Sequence, residues 1–107
     1  MNITHIPTLA LVYHEGAAAN RPHLIAIVAY HADNHADALA ECFALTNHID
    51  NDWTKNDGVI ATNFGIHRST SVGDFIQLGL HLYRCDPHGW THVAPTKWQL
   101  IKSLFIR

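Results

Sequence analysis

Residues 24–30 read Leu-Ile-Ala-Ile-Val-Ala-Tyr. In an extended chain successive side chains point to opposite sides, so this run presents apolar groups on both faces at once. Such a strand is stable only when both of its faces are covered, and it belongs inside a sheet. The chain that follows it is helical in pattern. Asp33 or Asn34 can cap a helix, because a short side-chain oxygen accepts a free first-turn amide. Asp37 then complements the positive helix end. Across 35–49, Leu39, Cys42, Phe43, Thr46 and Ile49 recur at steps of three and four, with Asp37, Glu41 and His48 on the opposite side. A helix with its Leu39–Phe43 side on the sheet and its acidic side in solvent is expected.

Further strand signals surround this unit. Residues 6–13 read as a strand with Pro7 at its start, where a missing N–H is tolerated. His14 to Pro22 reads as a loop, and 59–66 is a weaker strand broken by Asn63 and Gly65. Residues 74–78 and 81–85 flank Gly79, and Leu80, Leu82 and Arg84 alternate with His81, Tyr83 and Cys85, a hairpin pattern. Asp86 to Gly89 forms a turn before Trp90 to Val93. Thr96 can cap a short last helix, with Trp98, Ile101, Leu104 and Phe105 on one side; a strand is the alternative there. The order implies an α+β fold: a small mixed or mainly antiparallel sheet backed by one main helix, with residues 1–107 as a single domain.

Composition narrows the function. An apolar content of 48% suits a folded chain. No apolar run approaches the ~20 residues of a membrane span, and Met1 to His5 lacks the basic start of a secretory signal. Two cysteines, Cys42 and Cys85, are too few for a disulfide scaffold, so reduced thiols and a cytoplasmic location are expected. The net charge is −2, unevenly placed. Residues 97–107 carry Lys97, Lys102 and Arg107 and no acid, whereas 31–57 carry six acids and one base. An acidic body argues against duplex binding, which needs a basic stripe. If nucleic acid is bound at all, Arg84, Lys97, Lys102 and Arg107 are the phosphate contacts. Ten histidines spread along the whole chain read first as compositional drift.

No phosphate-binding glycine loop, nucleophile elbow or paired-histidine zinc helix is present, and Ser69, Thr70 and Ser71 near His67 do not by sequence alone make a catalytic hydroxyl. Cys85, His88 and His92, spaced C-x2-H-x3-H with Cys42 as a distant fourth ligand, are the set a zinc ion would use. Against it stands a Cys85 packed as a small hydrophobe. His31 and His35 are four apart, but the cap lies between them and separates the pair. Trp53 sits in a polar loop, where it either plugs the core edge or projects as a contact residue.

Arg68-Ser69-Thr70-Ser71-Val72-Gly73-Asp74-Phe75-Ile76, then Tyr83-Arg84-Cys85 and Gly89-Trp90, resembles a signature in small proteins of phages, plasmids and other mobile elements. These include YodL-like domains and domains attached to large polyvalent mobile-element proteins. The upstream Phe43 to Asn47 resembles a helix end that precedes the signature, so the likeness covers about 36–93. It implies genomic context more than chemistry. Physically, Gly73 allows a backbone angle that other residues resist, Asp74 fixes a turn through nearby amides, and Arg68 pairs with Asp74 or with a helix acid.

The expectation is therefore a non-enzymatic protein-binding module, most concretely an inhibitor of a bacterial defence system of the anti-CRISPR kind. It would hold a host protein or ribonucleoprotein complex in the bacterial cytoplasm through Asp37, Glu41, His48, Asp50, Asp52 and Trp53. A small zinc protein using Cys85, His88 and His92 and a nucleic-acid accessory protein are the alternatives.

Overall fold

The computed structural model describes residues 8–15, 22–47, 52–62 and 68–93. Over these described residues it is an α+β fold: one antiparallel open sheet of six strands and one α-helix. The strands are β1 (Thr8–Glu15), β2 (Pro22–Tyr30), β3 (Val59–Ala61), β4 (Phe75–Leu78), β5 (His81–Asp86) and β6 (Gly89–His92). Their spatial order is β3-β2-β1-β4-β5-β6. The doubly apolar run 24–30 lies in β2, inside the sheet between β1 and β3, but only its helix-side face is covered: Ile25, Ala26, Val28 and Tyr30 are buried, whereas Leu24 is exposed and Ile27 half-buried.

Helix α1 (His35–Leu45) follows β2 directly. Asn34 is its cap: the side chain accepts from the Asp37 amide at 2.8 Å, and Asn34 Nδ2 donates back to Asp37 Oδ2 at 3.0 Å. The helix lies over β2 and β4. Ala38, Leu39 and Cys42 are buried on its sheet side and pack with Ala10, Val12, Ala26, Val28, Ile76 and Leu78. Methylene burial of this kind stabilises by roughly 25 cal/mol per Å². The other sheet face has a second cluster, Tyr13, Phe75 and Leu82, with Leu11 and Val93 against it. Leu82 and Tyr83 thus serve opposite faces, as the alternation in the hairpin predicted.

Several boundaries differ from the sequence reading: β2 begins at Pro22, within the expected loop, and β4, β5 and β6 are each shifted by one residue at one end or both. Strand β1 continues to Glu15, because the ladder to Pro22 continues and the Glu15 amide donates to Asp74 Oδ1 at 2.9 Å. Helix α1 stops at Leu45, four residues early. Thr46 caps its end, with the hydroxyl turned back onto Cys42 O at 2.9 Å. A one-turn 3₁₀ segment (Trp53–Lys55) then leads to β3, capped by Asp52, whose side chain accepts from the Thr54 amide. The weak strand at 59–66 is observed as Val59–Ala61 within the described residues. Pro7 and the 96–107 segment lie outside them. Among the described residues no helix is long and apolar enough to cross a membrane.

Candidate functional site

The segment that carries the resemblance is folded into a polar knot. Arg68 grips Asp74 with both guanidinium nitrogens, Nη1 to Oδ2 and Nη2 to Oδ1, each at 2.7 Å. Asp74 also accepts from the Ser71 amide at 2.8 Å and the Glu15 amide at 2.9 Å. Burial alone pushes the Asp74 carboxyl up, but Arg68, the two amides and the nearby His14 outweigh it and hold it below the usual carboxylate range. The Arg68 guanidinium is raised in turn by its bond to Asp74. Gly73 has φ +97°, and its amide donates to Cys85 O at 2.9 Å. The Cys85 amide donates to Asp74 O at 2.8 Å, so the knot is fastened to β5.

A hydroxyl chain runs behind it. Thr70 Oγ1 donates to Thr46 Oγ1 at 2.8 Å, and Thr46 Oγ1 donates to Cys42 O at 2.9 Å. With its proton so used, Thr70 accepts from His14 Nε2 at 2.8 Å, which places the imidazole proton on Nε2. Imidazole beside hydroxyl is the pairing of nucleophilic catalysis. Here Thr70 is 0% exposed and His14 is buried, so the pair ties elements together. Asn47 Nδ2 donates to Thr70 O at 2.6 Å and Trp53 Nε1 to Arg68 O at 3.0 Å. Among the described residues no buried side-chain polar atom lacks a partner.

Burial corrects one expectation outright. Trp53 is 1% exposed and packs in the helix-side core, so it plugs the core edge and is not a contact side chain. Its companions divide. Asp37 is exposed beside Asn34, and Glu41 is half-buried, accepting from the His31 amide at 3.2 and 3.3 Å. Asp52 is exposed at the cap of the 3₁₀ turn. His48 and Asp50 lie outside the described residues.

The residues suggested for zinc are not brought together. Cys85 is buried on the helix side of β5 opposite Trp90, His88 is exposed in the β5–β6 turn, and His92 faces His81. Burial, then Asp74 and Asp86, pushes the Cys85 thiol up, away from the thiolate a metal needs. Cys42 is buried under α1, and burial with Glu41 pushes its thiol up to about 12. No group of three or more His, Cys, Asp or Glu among the described residues is placed to hold a metal ion. Of the proposed phosphate contacts, Arg84 is paired with Asp86 at 2.9 Å; Lys97, Lys102 and Arg107 lie outside the described residues. Thr91 also donates to Asp86. Arg84, Asp86, His88 and Trp90 line an open groove of about 540 Å³ at this end of the sheet.

What the sequence reading missed is an imidazole–phenol group on the helix side of the hairpin. His35, the first residue of α1, has its Nδ1 2.6 Å from the Tyr83 hydroxyl. His81 Nδ1 lies 3.0 Å from His92 Nε2. Ring centroids are 5.1 Å apart for His35–His81, 5.1 Å for His81–His92 and 5.0 Å for Tyr83–His92. The strands explain the grouping. Val93 N–H bonds Leu82 O, so the next pair, Tyr83 opposite His92, is a non-hydrogen-bonded one with its side chains close. His81 shares the Tyr83 side of β5 by alternation. Three exposed imidazoles and a half-buried phenol can share protons, accept and donate hydrogen bonds, or offer nitrogen lone pairs.

No family model matches the chain, and neither a curated protein nor a solved structure matches it.

Proposed function

We propose that this protein is a non-enzymatic protein-binding module of a mobile element, most concretely an inhibitor of a bacterial defence system. It would act in the host cytoplasm by occupying a surface of a host protein or ribonucleoprotein complex. The observation that supports the reading is the charge of the helix edge. From His31 to Asn47 the chain carries Asp33, Asp37 and Glu41 and no Lys or Arg, and Asp33 and Asp37 are exposed. Asp37 and Glu41 each take part in local bonds, but one or two bonds use only part of the roughly four lone-pair directions a carboxylate offers. Such an edge steers toward a basic surface and can stand in for nucleic-acid phosphates in a basic channel.

The test is affinity capture from host lysate with three forms of the protein. Wild type should enrich one host protein at stoichiometric level. Asp37→Lys with Glu41→Lys should reduce its recovery at least tenfold, while Asp37→Asn with Glu41→Gln should retain an intermediate amount. Circular dichroism checks that each form is folded. A partner held equally by the charge-reversed form, or no enriched protein at all, would overturn the reading.

A further inference from the structure

We propose that His81 and His92 form a two-imidazole clamp for a late first-row divalent metal ion, copper(II) or nickel(II) by preference. His81 Nδ1 and His92 Nε2 lie 3.0 Å apart. At a metal–nitrogen length of roughly 2.05 Å, two nitrogens 3.0 Å apart subtend about 94° at the metal. That is the angle between neighbouring ligands of a square-planar or octahedral ion, the geometries copper(II) and nickel(II) take. Tetrahedral zinc needs the pair to open to about 3.3 Å, a small side-chain movement. Copper also heads the affinity order for nitrogen sites.

The clamp is preorganised. Its two histidines stand on adjacent strands held by the β5–β6 ladder. The Tyr83 ring packs against His92 at 5.0 Å and lies 6.5 Å from His81, and the Tyr83 hydroxyl is engaged by His35. Metal binding replaces the hydrogen bond between the two facing nitrogens: the bridging proton passes through solvent to its own ring's other nitrogen, both rings turn so that their lone pairs meet at the ion, and solvent completes the coordination. Both histidines are exposed, so the ion has direct access and exchanges freely. The site owes nothing to Cys85 or His88, and it does not depend on the partner-binding reading.

The test uses untagged full-length protein, titrated with copper(II) and with nickel(II) by calorimetry. One equivalent should bind, and His81→Ala and His92→Ala should each lower affinity at least tenfold. His23→Ala and His88→Ala, which remove exposed histidines elsewhere, should leave it unchanged. Electron paramagnetic resonance of the copper(II) form should show two equatorial imidazole nitrogens. Equal binding by wild type and both clamp variants, equal losses for His88→Ala, or a single-nitrogen spectrum would overturn the proposal.

Discussion

Replacing Asp74 by Asn changes one atom, and the geometry around it sets what that costs. Each carboxylate oxygen accepts two bonds: Oδ1 from Arg68 Nη2 and the Glu15 amide, Oδ2 from Arg68 Nη1 and the Ser71 amide. All four partners are donors. Whichever way an asparagine amide is turned, its NH2 meets one guanidinium N–H and one backbone N–H, and both bonds are lost. Bonds to a charged group contribute about 1.5–3 kcal/mol each, and breaking a buried pair from one side costs about 3–5 kcal/mol. Arg68 is 46% exposed and regains some hydration, so we take the range of about 3–5 kcal/mol without adding to it. Against a total stability of roughly 5–15 kcal/mol this is a severe change, about 12–20 °C in Tm at ~4 °C per kcal/mol.

Urea unfolding followed by circular dichroism and by tryptophan fluorescence measures it. Trp53, one of three tryptophans, contributes a signal from the knot, since its indole bonds Arg68 O. The midpoint should fall with little change in slope. The pH dependence gives an independent check. Asp74 has its folded pKa held below the ordinary carboxylate value, so its contribution is present above ~3.9 and is lost as pH falls from there through the folded value. Asp74→Asn should therefore flatten that part of the acid limb. A loss below about 1 kcal/mol at neutral pH, or an unaltered acid limb, would refute the view that the motif is scaffold.

Two further outcomes follow from the same contacts. Neither thiol should react with iodoacetamide at neutral pH in the folded protein, because burial and neighbouring carboxylates disfavour both thiolates. Mass spectrometry should show Cys42 and Cys85 alkylated together across the urea transition; native labelling of Cys85 alone would mean the hairpin opens locally. Gly73→Ala should cost more than Gly79→Ala, about 2 kcal/mol against about 1 kcal/mol or less. A Cβ at Gly73 meets Glu15 Oε1 at 3.1 Å with φ +97°, whereas Gly79 has φ +61° and open space. Equal losses in urea titration would contradict this.

Local chemistry was readable from the chain, and contacts across it were not. A cap at Asp33 or Asn34, the Gly79 turn, the positive φ of Gly73 and Asp74 as one of two partners for Arg68 each involve residues within a few positions of one another, where turn and capping preferences operate; the structure selects Asn34 and Asp74. The early end of α1 has a distant cause. Thr46 is held by Thr70, and Asn47 by Thr70 O, 23 residues away in sequence. Trp53 among Asp52, Thr54 and Lys55 can be core or contact by its neighbours alone, and the carbonyl that Arg68 supplies to its indole decides for the core. The histidines show the same limit most sharply. His35 and His81 are 46 positions apart and touch only because α1 begins over the hairpin, so a count of ten dispersed residues gave no hint of a group. The usable signal was His81-x-Tyr83 on one side of a readable hairpin.

The division between knot and surface decides which mutations can speak about function. Arg68, Thr70 and Asp74 tie α1, β1 and β5 together, so any loss of activity on changing them has a folding explanation first. Among the described residues Asp37 and Glu41 bond only within Asn34–Asp37 and His31–Glu41, and His81 and His92 are positioned by the β5–β6 ladder. None of these four side chains bonds into the knot. Alanine at the clamp should therefore leave stability within about 1 kcal/mol of wild type, and the helix-edge reversal, which removes Asp37 from the positive end of α1, should cost about 1–2 kcal/mol and leave the protein folded. With the fold so held constant, a lost partner reports on the helix edge and a lost metal ion on the clamp. An effect of the helix-edge reversal on metal affinity would show instead that the start of α1, through His35 and Tyr83, couples the two surfaces.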